Sequence, residues 1–66
     1  MGGLMTEVKP GQVWQEKNSG KRIVITGPGE KKHQWEWRDL GAKHGNGAWI
    51  HEFLLVDDFV LVREAP

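Results

Sequence analysis

Three histidines have the side chains in this chain best suited to hold a transition metal, because imidazole is a ligand for zinc, copper and nickel. His33, His44 and His51 are eleven and seven residues apart, and these spacings match no zinc motif. The chain has no cysteine that could complete such a site. We therefore expect no metal and no other cofactor, with the histidines facing solvent or lying at the rim of the fold.

Acid–base or nucleophilic chemistry would need convergent polar groups in a pocket. Asp57 and Asp58 are adjacent at the start of a predicted strand, so their carboxylates should point in different directions. Ser19 is the only serine and lies in a predicted turn beside a glycine. The segment 27–32 has glycines and lysines but lacks the Gly-Lys-Ser/Thr ending of a phosphate-binding loop. We expect no catalytic residue and no enzymatic activity.

Composition limits the classes of protein that remain. A chain of 66 residues has room for one domain, and its 38% hydrophobic and 27% charged residues suit a globular module. Nine basic and nine acidic residues cancel, which argues against a protein devoted to neutralising DNA phosphates. The longest apolar runs, 53–56 and 59–62, are too short to cross a bilayer. With no signal-peptide pattern at the start, we expect a cytoplasmic protein.

The elements that would position any site are short strands separated by turn residues. Alternating or β-branched segments predict strands, and Gly, Pro and Asn clusters between them predict turns. A single helical turn, 52–55, is expected before the last strand. The predicted strands are 12–16, 21–26, 33–38, 48–51 and 59–63.

These elements predict an all-β domain: a small five-stranded antiparallel SH3-like barrel over residues 7–64. Residues 1–6 should form a flexible leader and residues 65–66 a tail. Trp14 and Trp49 have the opposite parity to their neighbours Val13 and Ile50. One member of each pair should therefore lie nearer the rim, unless a β-bulge intervenes. The predicted core is Val13, Ile23, Ile25, Trp35, Trp37, Ile50, Phe53, Phe59 and Leu61.

The order of these segments carries a resemblance. Lys9-Pro10-Gly11-x-Val13-Trp14 is followed by Gly20-Lys21-Arg22-Ile23-x-Ile25, Trp35-x-Trp37-Arg38, Phe53 and Phe59-x-Leu61-Val62. This pattern over residues 9–63 is similar to small proteins of unknown function from bacteriophages and their bacterial hosts. The resemblance implies an SH3-like barrel and supplies no catalytic or binding residues. The loop from Asp39 to Gly47 is longer than a tight hairpin needs and departs from the pattern.

Two binding hypotheses from different classes follow. The first is a protein-interaction module, which a phage-encoded protein could use to dock onto a host protein. Tryptophan and arginine are enriched at interface hot spots, so the candidate residues are Trp14, Trp49 and Arg38. The loop 39–47 is expected to order on binding, because it is long, glycine-rich and charged.

The second hypothesis is weak nucleic-acid binding through a basic patch and a stacking tryptophan. Residues 1–45 hold eight basic and five acidic residues, whereas residues 46–66 hold one basic and four acidic. The candidate cations for nucleic acid are Lys21, Arg22, Lys31, Lys32, Arg38 and Lys43.

A symmetric homodimer is a third alternative, because exposed tryptophans and an apolar last strand could pair between two copies of the chain.

Overall fold

A computed structural model describes residues 7–45 and 48–66 of the chain, so the predicted leader 1–6 lies outside the described residues. All five strands belong to one antiparallel sheet with the order β4-β3-β2-β1-β5. The predicted all-β class and the five strands are confirmed, with bounds within two residues of those expected. The elements are β1 (Val13–Glu16), β2 (Arg22–Pro28), β3 (Gln34–Asp39), β4 (Trp49–His51), α1 (Glu52–Asp58) and β5 (Phe59–Arg63).

The sheet has an inner face that holds the core and an outer face on the other side. Alternation along the strands sends Ile23 and Ile25 of β2 inward, together with Trp14 of β1 and Trp37 of β3, which lie opposite them. Among the described residues, β4 and β5 each pair with one neighbour, so the sheet has two edges there. The core cluster is Val8, Trp14, Ile23, Ile25 and Leu55, with Trp35, Trp37, Ile50, Phe59 and Leu61 packed against it.

Val13 and Trp14 are both buried although they lie on opposite faces of the sheet. The register of β1 against β5 shifts between these two residues, as Trp14 faces Leu61 and Val13 faces Arg63. Trp14 points into the core and Val13 lies on the outer face, where it is covered by neighbouring side chains. The prediction that one of the pair lies at the rim is therefore wrong for Val13 and Trp14. The reason is the cover on the outer face, since the register shift adds its extra residue to β5 and leaves the alternation of Val13 and Trp14 intact.

Helix α1 corrects one predicted core residue. It has seven residues instead of a single turn, and only Leu55 on it is buried. Phe53 was expected in the core but is 77% exposed. Successive helical residues are about 100° apart, so burying Leu55 turns Phe53 away from the sheet. Leu55, which sequence reasoning left out of the core, takes the place assigned to Phe53.

A buried glutamine links the two ends of the fold. The side chain of Gln12 is fully buried, and all four of its hydrogen-bonding positions are used. Its Oε1 accepts from the backbone N–H of Lys9 at 2.9 Å and from Nε1 of Trp14 at 3.0 Å. Its Nε2 donates to the carbonyl of Glu7 at 2.9 Å and to Oε1 of Glu64 at 3.0 Å. Gln12 thus joins Glu7, near the start of the described chain, to Glu64, near its end.

The turn between β2 and β3 depends on Gly29. Its N–H donates to the carbonyl of Gln34 at 2.8 Å, and a Cβ added there would lie 2.7 Å from Cβ of Gln34. We expect Gly29→Ala to destabilise the protein by about 1–3 kcal/mol, because the backbone must move to relieve the overlap. Urea unfolding measures this loss. Gly27→Ala is the matched control, since no atom lies within 4 Å of its added Cβ. Equal losses for the two variants would contradict the prediction.

Candidate binding surface

Trp14, a predicted surface residue, lies in the core. Its side chain is 3% exposed, and its indole N–H is bound to Gln12 inside the fold. It packs in the same cluster as Ile23 and Leu55. The ring is therefore not available to a partner, and Trp14 is removed from the candidate site.

Trp49 lies on the surface, as expected. In β4 it faces Glu36 of β3 on the outer face, and 46% of the residue is exposed. Its neighbour Ile50 points inward, opposite Trp35. The parity argument therefore holds for this pair, with Trp49 as the member outside the core.

Trp49 begins a row of three aromatic rings, which we call the aromatic row: Trp49, His51 and Phe53. Trp49 and His51 are two residues apart on one strand and share the outer face. The rings of His51 and Phe53 are stacked, with centroids 5.2 Å apart and planes inclined by 15°. His51 also caps α1, because its Nδ1 accepts the backbone N–H of Phe53 at 3.1 Å. The cap fixes the ring of His51 where strand meets helix.

A polar cluster anchors the helical end of this row. The two carboxylate oxygens of Glu52 contact Nδ1 of His33 at 3.1 Å and Nε1 of Trp35 at 3.2 Å. The backbone N–H of Glu52 donates to the carbonyl of His33 at 2.8 Å. His33 adopts a left-handed conformation with φ 67°, which directs its carbonyl and ring toward the helix. These contacts hold the start of α1 against β3.

Two of the three histidines that could ligate a metal, His33 and His51, lie near each other. The ring centroids of His33 and His51 are 6.2 Å apart, whereas His44 is exposed in the loop after β3. Within residues 7–45 and 48–66, no group of three or more His, Cys, Asp or Glu side chains is arranged to hold a metal ion. The Nδ1 atoms of His33 and His51 instead contact Glu52 and the helix backbone.

Arg38 lies on the same outer face as Trp49. It belongs to β3 two residues beyond Glu36, the partner of Trp49, so the two side chains are diagonal neighbours. The guanidinium is half-buried, and its Nη1 donates to the carbonyl of Ala42 at 2.6 Å. The structure therefore brings together two of the three residues predicted for protein binding.

The six cations predicted for nucleic acid do not form one patch. Lys31 and Lys32 lie in the turn before β3, whereas Arg38 and Lys43 lie near its other end. Arg22 begins β2 and Lys21 directly precedes it; because β2 is antiparallel to β3, both residues join the second group. At about 3.3 Å per residue, the two groups are roughly 15–20 Å apart. Lys21 is also paired with Asp39 at 3.1 Å.

Sequence reasoning missed Phe53 and His51 as members of the surface. Trp49, His51 and Phe53 recur at every second position, and this alternation was the signal available. The predicted helical turn over 52–55, with Phe53 in the core, conceals this alternation. Ser19, by contrast, has the turn role expected of it, with its hydroxyl accepting the N–H of Lys21 at 3.1 Å.

Comparisons with protein-family models, with curated proteins and with solved structures find no match for this chain. Over the described residues, none of the helices has the length and apolar character needed to cross a membrane.

Proposed function

We propose that this protein is a non-catalytic binding module that docks a protein partner through the aromatic row. The observation that carries the proposal is the row of three aromatic rings on the outer surface, with Trp49 and Phe53 exposed and His51 partly exposed. Trp49 and Phe53 are 46% and 77% exposed, and His51 is held between them by its cap and its stacked contact. Rigid aromatic side chains give large contact area at low entropic cost, which is typical of interface hot spots.

The outward side of helix α1 extends this surface. Phe53, Leu54 and Val56 point away from the core and, with Asp57, line one open pocket. Leu55 alone faces the sheet, so the solvent side of the helix is the more apolar one. This is the reverse of an ordinary surface helix, whose exposed side is polar. A partner's apolar side chain would remove both the pocket and Phe53 from water.

A protein fits this surface better than a nucleic acid. Single-strand binding combines stacking rings with a continuous positive groove. Here Glu36 lies directly opposite Trp49 and Glu52 adjoins Phe53, so two carboxylates lie next to the rings and would repel a phosphate backbone. The candidate cations lie in two separate groups, and Arg38 is the one that adjoins the row, as a diagonal neighbour of Trp49. Nucleic-acid binding through Lys21, Arg22, Arg38 and Lys43 remains the alternative, favoured by their location at one end of the sheet.

The finer fold we propose is an SH3-like barrel, formed by bending of the five-stranded sheet. Ile50 from one edge strand and Phe59 and Leu61 from the other pack against the same buried cluster. A flat sheet would hold its two edges far apart, so their shared core supports strong curvature. With the resemblance to phage proteins, this fold leads us to propose a host protein in the cytoplasm as the partner.

Trp49→Ala tests the proposed function. We expect the variant to lose at least about tenfold in partner affinity, because it removes an exposed hot-spot ring. Its free energy of unfolding should fall by only about 1–2 kcal/mol, since half of the residue is already exposed. The measurement is quantitative pull-down from bacterial lysate with mass spectrometry, comparing wild type and variant.

The matched control is Val60→Ala, because Val60 is 46% exposed like Trp49 but lies on the opposite edge strand. It should retain every protein that the wild type captures. The proposal fails if both variants capture the same proteins, or if nuclease treatment removes every captured species. The second result would favour the nucleic-acid alternative.

A further inference from the structure

A second surface lies on the outer face, away from the aromatic row. The register places Arg38, Val24, Val13 and Arg63 side by side across β3, β2, β1 and β5. Two valines therefore occupy the middle of this cross-strand row, with an arginine at each end. Both valines are buried although they lie outside the main core cluster. The outer face thus has its own small apolar centre.

The apolar centre opens into a shallow groove, which we call the arginine groove: Val13, Arg22, Leu40, Val62 and Arg63. Val13 forms its floor and is almost inaccessible. Leu40 and Val62 form apolar walls that are 46% and 40% exposed. Arg22 and Arg63 complete the lining. A ligand placed here would meet apolar carbon at the centre and positive charge at the rim.

The arginines of this face are not neutralised within the described chain. The ion pairs there are Lys21 with Asp39 and His33 with Glu52, and neither includes an arginine. Arg22 is oriented by Nε donating to Oε1 of Gln15 at 2.8 Å, which positions its guanidinium without cancelling its charge. Guanidinium is the side chain that binds carboxylates in bidentate geometry.

We propose that the arginine groove binds an acidic peptide segment of a partner protein, with an apolar side chain next to a carboxylate. The apolar side chain covers Val13 between Leu40 and Val62, and the carboxylate pairs with Arg22 or Arg63. A nucleic-acid backbone would satisfy the arginines but would leave the apolar walls without a matching group. The combination of carboxylate and apolar side chain satisfies both parts of the groove.

The arginine groove is separate from the aromatic row, so the proposal for the groove can be tested independently of the proposed function. Trp49 lies on β4 at one edge of the sheet, whereas Val62 and Arg63 lie on β5 at the other. A single large partner could cover both, and a short peptide should occupy the groove alone. The appropriate test therefore uses short probes.

The experiment is a two-dimensional NMR titration of the labelled full chain with end-blocked peptides. An alternating glutamate–leucine peptide should shift the amides of Arg22, Val62 and Arg63, and a lysine–leucine peptide should not. A glutamate–serine peptide should bind at least about tenfold more weakly, because it lacks the apolar contact. A single-stranded oligothymidine serves as the nucleic-acid probe.

Arg63→Gln should weaken binding of the glutamate–leucine peptide by about tenfold, the effect of losing one charge-assisted hydrogen bond. Lys32→Gln also removes one positive charge, but it lies in the turn between β2 and β3, away from the arginine groove. It should therefore leave binding of the glutamate–leucine peptide unchanged. Trp49→Ala should also leave peptide binding unchanged. Both charge variants alter exposed residues, and their urea midpoints should equal that of the wild type.

Three results would overturn the inference. One is the absence of any shift with the glutamate–leucine peptide. Another is a set of shifts confined to Trp49 and Phe53, which would assign the peptide to the aromatic row. The third is tighter binding of oligothymidine than of the peptide at Arg22 and Arg63. That outcome would assign the groove to nucleic acid.

Discussion

Leu55→Ala should lower the free energy of unfolding by about 3–5 kcal/mol, the range for removing a fully buried leucine side chain. Leu55 is 0% exposed and is the only buried residue of α1. It packs among Trp14, Ile23 and Ile25, so truncation leaves a cavity bounded by strands that cannot collapse easily. A domain of this size has a total free energy of unfolding of about 3–10 kcal/mol, so a large fraction of the variant molecules should be unfolded at room temperature.

Leu54→Ala is the control for this variant, because it makes the same chemical change one residue earlier. Leu54 is 53% exposed on the outward side of the helix, and its truncation should cost less than about 1 kcal/mol. Urea unfolding followed by circular dichroism measures both values. Similar losses at the two positions would mean that the described orientation of α1 is wrong.

Gln12→Leu should lower the free energy of unfolding by about 3–4 kcal/mol, although it keeps nearly the same side-chain volume. Four hydrogen bonds are lost, and the buried indole N–H of Trp14 and the N–H of Lys9 are left without their acceptor. An unsatisfied buried polar group costs about 1–3 kcal/mol, which exceeds the gain from a more apolar side chain.

The control for Gln12 is Gln15→Leu, which replaces another glutamine three positions further along the chain. Gln15 accepts one exposed hydrogen bond, from Arg22, and its replacement should change stability by less than about 1 kcal/mol. Urea unfolding gives the values, and indole N–H signals in NMR spectra report whether Trp14 loses protection. A stability for Gln12→Leu equal to that of wild type would show that the hydrogen-bond network contributes nothing net.

The strands could be predicted from sequence because their signals are local. Alternation in 33–38 and β-branched residues in 21–26 identify β3 and β2, and glycines mark the turns between them. Gly20, for example, has φ 76°, a conformation that glycine adopts without strain. Pairing of β1 with β5 joins segments more than forty residues apart, and its bulge at Val13 and Trp14 leaves no local signal.

The buried side of helix α1 could not be predicted from the sequence because the helix is short. Seven residues make about two turns, too few for the apolar spacing to fix which side faces the core. The predicted core includes Phe53 and omits Leu55, whereas the structure buries Leu55 and exposes Phe53. What decides between them is the hydrogen bond from Phe53 N–H to His51, which sets where the helix begins and thus its phase.

The candidate site was predictable only in part, for the same physical reasons. Trp49 could be placed outside the core by parity with Ile50, and Arg38 by alternation with Trp37. Arg63 was not predicted at all, because its role depends on the β1–β5 register that sets it beside Val13. Exposure of Phe53 likewise followed from helix phase. Residues defined by one strand were found, and residues defined by long-range pairing were not.

The network around Gln12 has a consequence for the connectivity of the chain. Because one amide group binds both Glu7 and Glu64, the two ends of the described fold lie within a few ångströms of each other. A short linker could join them with little loss of chain entropy, leaving new ends at the exposed loop 40–45. The same geometry suits insertion of the whole unit into a surface loop of another protein, with the aromatic row and the arginine groove still facing outward.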